Sequence, residues 1–455
     1  MKVLLFLTDR FPYGKGEAFI ENEIEYIAHA FDKVYIMPVG LTVNVKEQRG
    51  LPVNITVLPP ANTRDLYENG RPSKLQRVVW GLKNMVWWSI KTLFSSDFRE
   101  EIRGLKKQAK LNVATFKAVI RTIAPVLRNE VHFKKELSKI NLSGEDEIYI
   151  YSYWVNGLIL KMDGILGSLY EKSNAVTKSG GIKLVFSRAH RHDLYDDARE
   201  CGYIPLKDKV IDGIDRLYLI SEDGIEYITE KNEKNKHKYR LSFLGTKDYL
   251  EGEGKQEYIE RAEGEDKGRA EEKVLKIVSC SFVIPVKRIE RIIESLSLVE
   301  GISIEWTHFG GGQDLEKMKK YGEEKLSCKN NIEYNFAGYI NNVDLMKYYK
   351  NNRVDLFLNV SENEGIPVSI MEAMSFGIPI IATAVGGTKE AIAPGENGYL
   401  LDRDFDNNTL AKLIVEYGEK TREDKESFRL ASRNLWEERF SAKNNYRDFV
   451  RDIFN

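Results

Sequence analysis

Along most of this chain, short apolar runs alternate with longer stretches of helical character, and that alternation restricts it to an α/β fold built on parallel sheets. Val3–Thr8 reads as a buried strand. The loop Phe11-Pro12-Tyr13-Gly14-Lys15-Gly16 follows it, then a helix from about Glu17 to Ala30 and a strand over Lys33–Val39. Similar strands recur at Ile148–Tyr151, Lys183–Ser187 and Arg216–Ile220. A second series begins at Val274–Cys280 and continues near Ser303–Phe309, Ile332–Ala337, Val354–Val360 and Ile380–Ala384. A chain of 455 residues exceeds one ordinary core. Two doubly wound domains are expected, over residues 1–250 and 273–440. Between them, 251–272 is charged, glycine-bearing and poor in apolar residues, which is linker composition.

Composition removes several classes of function. A net charge of −1 argues against a general nucleic-acid binder. Cys201, Cys280 and Cys328 are scattered, with no CxxC pair, so neither a disulfide framework nor a cysteine zinc site is expected, and a cytoplasmic setting fits. The apolar run after Met1 meets charge too early for a signal peptide, and no window approaches a membrane span.

The segment Glu364-Gly365-Ile366-Pro367-Val368-Ser369-Ile370-Met371-Glu372-Ala373-Met374 carries the most chemistry. Pro367 suits the first turn of a helix and Gly377 its C′ position, so a helix is expected over about 367–376. A helix start offers free N–H groups and partial positive charge to an anion. Glu372, set among Ile370, Met371, Ala373 and Met374, would be costly to bury without donors. Ribose hydroxyls would supply them; the competing reading is a surface glutamate on an amphipathic helix.

This segment, together with Gly377-Ile378-Pro379-Ile380-Ile381-Ala382-Thr383 and Gly386-Gly387, resembles the Glu-x7-Glu signature of the retaining glycosyltransferases of family 4, which have the two-domain GT-B fold. The resemblance covers most of the C-terminal half. It implies that Glu372 holds the nucleotide ribose, that Glu364 contacts hydroxyls of the donor sugar, and that the amides of Gly365 and Ile366 face sugar and phosphates. It also implies that the last helix, 441–455, crosses back onto the first domain.

Lys287 and Arg288 stand at a strand–helix junction, where a basic pair can neutralise a departing diphosphate or merely open an exposed helix. The family has an arginine shortly before this lysine; here Ser281-Phe282 occupies that place, and Arg288 is the candidate replacement. Gly310-Gly311-Gly312 can let backbone approach a ligand or simply turn. In the family this turn and the one holding Tyr339 and Ile340 line the base pocket. Gly14-Lys15-Gly16 lacks the third glycine of a dinucleotide fingerprint, since Phe19 stands there, which weakens an oxidoreductase reading. In the family this loop faces phosphates and acceptor. His190 and Asp193 match a His-x-x-Asp pattern after the strand Lys183–Phe186, where ligands bind in such sheets. The resemblance places His190 at the transferred sugar and Asp193 on the acceptor side, with His192 the competing cleft residue. Asp402-Arg403-Asp404-Phe405-Asp406 has the look of a metal-binding Asp-x-Asp, but it lies where family 4 has polar loop residues. No metal and no other cofactor is expected.

Residues 70–140 interrupt the strand–helix rhythm as a helical insert in which Lys and Arg outnumber Asp and Glu. Within 74–95, Trp80, Trp87 and Trp88 interleave with cations beside an apolar stripe, as in a helix docked at a membrane surface or a lid packed on its own domain. The resulting expectation is a cytoplasmic glycosyltransferase at the inner face of the cell membrane. It would use a nucleoside-diphosphate sugar, UDP favoured over GDP, and a glycan or lipid-linked acceptor of surface polysaccharide or lipopolysaccharide assembly. Two alternatives stand beside it: another GT-B enzyme, such as an epimerase or phosphorylase, and a catalytically silent, membrane-docked sugar-binding protein.

Overall fold

The structure is a computed structural model and describes residues 1–14, 17, 19–40, 48–61, 86–140, 142–172, 181–251, 258 and 274–455. It has two compact units, one formed by Met1–Ile220, Gly224–Ser242 and Arg447–Asn455, the other by Ser221–Asp223 and Phe243–Tyr446. Phe243–Leu250, expected within the first domain, thus belongs with the second unit. Thr246 explains why: its N–H donates to the Phe440 carbonyl (2.9 Å), its carbonyl accepts from Ala442 (3.0 Å), and its hydroxyl accepts from the Trp436 indole (2.8 Å). Of the charged stretch 251–272, all but Glu251 and Tyr258 lies outside the described residues.

The first unit holds a parallel sheet in the order β3-β2-β1-β4-β5-β6-β7. Its strands are β1 (Lys2–Thr8), β2 (Lys33–Pro38), β3 (Ile55–Val57), β4 (Glu147–Ser152), β5 (Ile182–Ala189), β6 (Arg216–Leu219) and β7 (Tyr239–Leu241). β1 lies between β2 and β4, with Leu4 opposite Val34 on one side and Tyr149 on the other. Such strands are covered on both faces and read as continuous apolar runs, which is why Val3–Leu7 is buried throughout. On one face Phe6, Tyr151 and Phe186 stack at 4.7 Å centroid spacings, and Phe449 and Ile453 of the final helix, Ala442–Ile453, join the same cluster. Asp452 holds that helix by accepting from the Tyr218 hydroxyl (2.7 Å).

The helix after β1 starts at Ile20, three residues later than expected. Glu17 cannot begin it, because its backbone is left-handed (φ 55°) and its carboxylate binds the amides of the loop it belongs to. Within the insert, residues 86–93, Ser96–Lys107 and Val113–Leu137 are helical, whereas 62–85 lie outside the described residues, and with them most of the 74–95 stripe. No helix among the described residues is long and apolar enough to cross a membrane.

The second unit has a parallel sheet in the order β10-β9-β8-β11-β12-β13. Its strands are β8 (Val274–Cys280), β9 (Ser303–Phe309), β10 (Ile332–Gly338), β11 (Leu356–Asn359), β12 (Ile380–Thr383) and β13 (Gly398–Leu401). In both sheets the strand order reverses beside the first strand, between β1 and β4 and between β8 and β11. The connections leaving those two strands diverge to opposite faces and open a crevice at the strand C-termini.

Burial of charge in the first unit is compensated locally. Arg188 on β5 and Glu23 on the Ile20–Ala30 helix are both fully buried, 3.3 Å apart. The Tyr151 hydroxyl links them, donating to Glu23 (2.9 Å) and accepting from Arg188 (3.0 Å). Removing one partner of such a pair leaves a charge in the core. Glu23→Ala is expected to cost about 3–5 kcal/mol in urea unfolding, the scale for breaking a buried pair; a loss below 1 kcal/mol would show that Arg188 does not depend on Glu23.

Candidate functional site

At the strand-order reversal of the second unit, β8 is followed by Ser281–Ile284, a 3-10 turn over Pro285–Lys287 and the helix Ile289–Ser297. From β11 the chain passes through Val360–Pro367 into the helix Val368–Ser375. These two connections bring Lys287 and Glu364 together: the Lys287 ammonium donates to the Glu364 carboxylate, and both side chains are mostly buried. Pro367 occupies the cap position, with the helix beginning one residue later, and Gly377 ends it with φ +67°.

Glycines make this approach possible. A Cβ on Gly386 would fall 2.0 Å from the Glu364 carbonyl oxygen, and one on Gly387 would fall 2.6 Å from the Ile366 side chain. On the β8 side, a Cβ on Gly310 would strike the Ser281 carbonyl (1.7 Å) and one on Gly312 the Val283 backbone. Val283 N–H donates to Gly311 (2.9 Å) and Gly310 N–H to Gly338 (2.8 Å). Gly310 therefore seats the connection that carries Lys287, while Gly386 seats the one that carries Glu364.

Glu372 lies one helical turn into Val368–Ser375, and its carboxylate accepts from Asn342 Nδ2 (2.5 Å), the first residue of the helix Asn342–Asn351. Burial lifts its pKa from the ordinary 4.5 to about 7, opposed only by that hydrogen bond. The same carboxylate and Lys287 both act on the Cys280 thiol at the end of β8, which burial pushes up to about 12. Lys287, Glu364 and Glu372 thus gather around one strand end. Asn342 was not anticipated; its signal was the Asn341 cap, which fixes a helix start immediately after Tyr339-Ile340. Tyr339 follows β10 with 57% of its surface exposed, and Ile340 is half-buried.

Arg288, the candidate replacement for an arginine before Lys287, is buried. Its backbone is left-handed (φ 49°), which turns the side chain inward. There Nε donates to the Val360 carbonyl (2.7 Å), Nη1 to Arg403 (2.7 Å) and Nη2 to Ser361 (3.2 Å). Three carbonyls take three of its five N–H donors, and these bonds hold the connection leading to Glu364. Phe282, in the place of the family's arginine, is 64% exposed. In the Asp402–Asp406 run, Asp406 caps the helix Asn407–Gly418 by accepting from Asn408 N–H (2.9 Å), and Arg403 pairs with Glu362 (2.5 Å).

In the first unit the crevice beside β1 is organised by Glu17. Its carboxylate accepts from the backbone N–H groups of Asp9 (3.0 Å), Arg10 (2.6 Å) and Phe11 (2.6 Å) and from the Trp154 indole (2.6 Å). Sequence reasoning passed over it for the neighbouring glycines. Gly14 is exposed with φ +68°, and Lys15 and Gly16 lie outside the described residues.

His190 follows β5 and is buried among aromatic rings, with centroids at 4.4 Å to Trp154, 4.8 Å to Tyr153 and 5.8 Å to Phe19. Neither ring nitrogen has a hydrogen-bond partner among the described residues. Burial, with Arg188 nearby, holds its pKa well below the usual histidine range, so the ring is neutral at pH 7. A buried imidazole left unsatisfied is a place where a ligand or water completes the bonding. Asp193, expected on the acceptor side, accepts from the backbone N–H groups of Val155 (2.6 Å) and His190 (2.7 Å) and so fixes the histidine. Burial raises its pKa to about 7 despite those bonds. His192 is exposed at the start of the next turn.

A family profile described as Glycosyl transferases group 1 matches residues 260–434. Within the chain, 107 residues are 37% identical to the O-antigen biosynthesis glycosyltransferase WbnH of Escherichia coli, covering 22% of this chain and 28% of that protein. The lipopolysaccharide 1,6-galactosyltransferase of Escherichia coli K12 is 33% identical over 120 residues, 25% of this chain and 31% of the relative. The chain therefore matches less than a third of these relatives' lengths. At the level of fold the likeness extends along the chain: Anabaena HepE, in complex with UDP and glucose, superposes with a TM-score of 0.59 at 14% identity over 99% of both chains. The fold is GT-B, with two parallel-sheet, Rossmann-like domains.

Glu372 supplies a pH test. Its folded pKa is raised, so burial costs nothing below the unfolded value of 4.5, and the cost develops as pH rises toward about 7. Glu372→Gln, which mimics the protonated acid, should therefore stabilise the protein at pH 8 by on the order of 1 kcal/mol and have little effect at pH 4. Urea unfolding at the two pH values measures this, and equal effects at both would contradict it.

Proposed function

We propose that this protein is a retaining glycosyltransferase that moves a sugar from a nucleoside-diphosphate sugar, UDP favoured over GDP, to a glycan or lipid-linked acceptor of surface polysaccharide or lipopolysaccharide. The observation that carries the proposal is the convergence of Lys287, Glu364 and Glu372 where the strand order of the second unit reverses. The profile match falls on this half of the chain, and it and the O-antigen and lipopolysaccharide relatives support the reading.

In this reading the ribose hydroxyls donate to Glu372. They would add to the single Asn342 bond that now opposes its desolvation, so the carboxylate ionises on binding. Lys287 holds Glu364 before the donor arrives. With donor bound, its ammonium sits beside the diphosphate and stabilises the negative charge that grows as the glycosidic C–O bond breaks. Glu364 accepts from hydroxyls of the donor sugar, the amides of Gly365 and Ile366 face sugar and phosphate, and the N-terminus of Val368–Ser375 adds its partial positive charge. Tyr339 and Ile340 neighbour the base.

The acceptor oxygen attacks from the face the leaving group departs from. Its proton passes to the departing phosphate oxygen, so the new bond retains configuration without a protein nucleophile or a metal. His190, neutral and unsatisfied, hydrogen-bonds the transferred sugar. We place the enzyme at the inner face of the cell membrane, with 74–95 as its contact. The exposed Trp87, Ile90 and Phe94 support that placement.

Release of UDP measured with a panel of nucleotide sugars and glycan acceptors tests the reading. Glu364→Ala and Lys287→Ala should each lower turnover about 100-fold or more, and Glu372→Ala should mainly weaken donor binding, by about tenfold or more. UDP affinity of the unaltered protein should fall as pH drops below 7 and lose that dependence in Glu372→Gln. Full activity in both glutamate variants, or an epimerised donor formed without acceptor, would overturn the assignment.

A further inference from the structure

The first unit contains a cavity of about 1230 Å³ that none of the residues assigned above explains. One wall is the helix Val113–Leu137, and another comes from the connections that follow β1, β4 and β5. Trp154 and Asp193, which pack and hold His190, both line it, so the cavity runs up to the neighbours of that histidine.

Its chemistry is set by a group of cations. Lys117, Arg121 and Arg128 lie four and then seven residues apart on the Val113–Leu137 helix, which puts them on one face. All three line the cavity, and Arg199 does so from another element. Among the described residues, none of the four has a carboxylate within ion-pair distance. Arg128 is the telling one: it is 9% exposed, and its partner is the Asn129 side-chain oxygen, at 3.4 Å. Burial drags its pKa down to about 10. A guanidinium removed from water ordinarily has a carboxylate or phosphate beside it, as Arg188 has Glu23.

The acidic side chains of the lining do not supply one. Asp193 is turned to backbone N–H groups, Asp9 pairs with Arg10 (3.4 Å), and Glu200 makes no ion pair among the described residues.

We propose that this cavity receives a phosphate or diphosphate group carried by the acceptor, bound by Arg128, Arg121 and Lys117. Arginine offers a planar fork that matches phosphate oxygens, and lysine adds a point charge. The inference rests on the glycosyltransferase reading for the acceptor; the anion site itself rests on the cavity and on cations that have no carboxylate in ion-pair distance among the described residues.

Isothermal titration of the full chain with inorganic pyrophosphate, in saturating UDP to occupy the donor site, tests it. Pyrophosphate should bind. Arg121→Ala and Lys117→Ala should each weaken it several-fold, and Arg128→Gln roughly tenfold or more, while UDP affinity stays unchanged. If Arg128→Gln does not fold, the Lys117→Ala/Arg121→Ala double variant, altered only at exposed positions, carries the test. Glu372→Ala should lose UDP but keep pyrophosphate, so failure of the donor reading shows as absent UDP binding and failure of this one as absent pyrophosphate binding. Two competitors identify the carrier, a sugar 1-phosphate in solution and vesicles containing a polyprenyl diphosphate. Displacement by either supports the proposal, and displacement by neither overturns the acceptor assignment. Pyrophosphate affinity unmoved by all the variants, or abolished by UDP, removes the site.

Discussion

The architecture depends on a constraint of parallel sheets: every strand leaves at the same edge, and every following helix begins there. That edge collects N–H groups and strand-end side chains, and only where strand order reverses do neighbouring connections part to opposite faces. Both units use this place in the same way. In one, the connections after β1 and β4 are joined by Glu17 and Trp154; in the other, those after β8 and β11 are joined by Lys287 and Glu364. A crevice with polar groups at its rim follows from topology before any particular chemistry is chosen.

The carboxylates of the two crevices differ in the kind of donor they have. Glu17 and Asp193 accept from backbone amides, which are fixed by the fold and cannot be exchanged for ligand groups without unmaking a loop. Glu364 and Glu372 accept from the side chains of Lys287 and Asn342, which can shift. The raised pKa values of Asp193 and Glu372 are alike, both about 7 and both caused by burial, so titration alone would not tell them apart. Arg288 and Lys287 divide by the same logic. Arg288 is locked onto three carbonyls, whereas Lys287 has an exchangeable partner.

Strand–helix alternation and the pair at 364 and 372 were legible in the sequence because each rests on local chemistry: apolar runs, a proline beside a helix start, a glycine at its end. The role of Arg288 was not, because its direction depends on a left-handed backbone in a non-glycine residue, which no periodicity announces. Glu17 was hidden for a related reason. It looked like a helical residue next to two glycines, and only the loop wrapped around its carboxylate reveals otherwise. Residues 243–250 fall in the second unit rather than the first because composition marks a linker by its polarity, whereas Thr246 is held by its backbone bonds to Phe440 and Ala442, which sequence distance conceals.

The glycines show how such non-local requirements still leave a trace. Gly310, Gly312, Gly386 and Gly387 look like flexible turns, yet each is a position where a methyl group would strike the connection bearing Lys287 or Glu364, or its immediate neighbours. Their lack of a side chain lets two connections approach closely enough for an ammonium and a carboxylate to meet while both are largely removed from water. In that setting the pair is stronger than at a surface, and breaking it without a replacement charge is costly. Under the proposed function, an incoming diphosphate takes the lysine only by bringing its own negative charge, and sugar hydroxyls satisfy the glutamate it leaves. On this view the Lys287–Glu364 pair selects for a ligand that carries both groups at once, and a nucleotide without its sugar would leave Glu364 short of a partner.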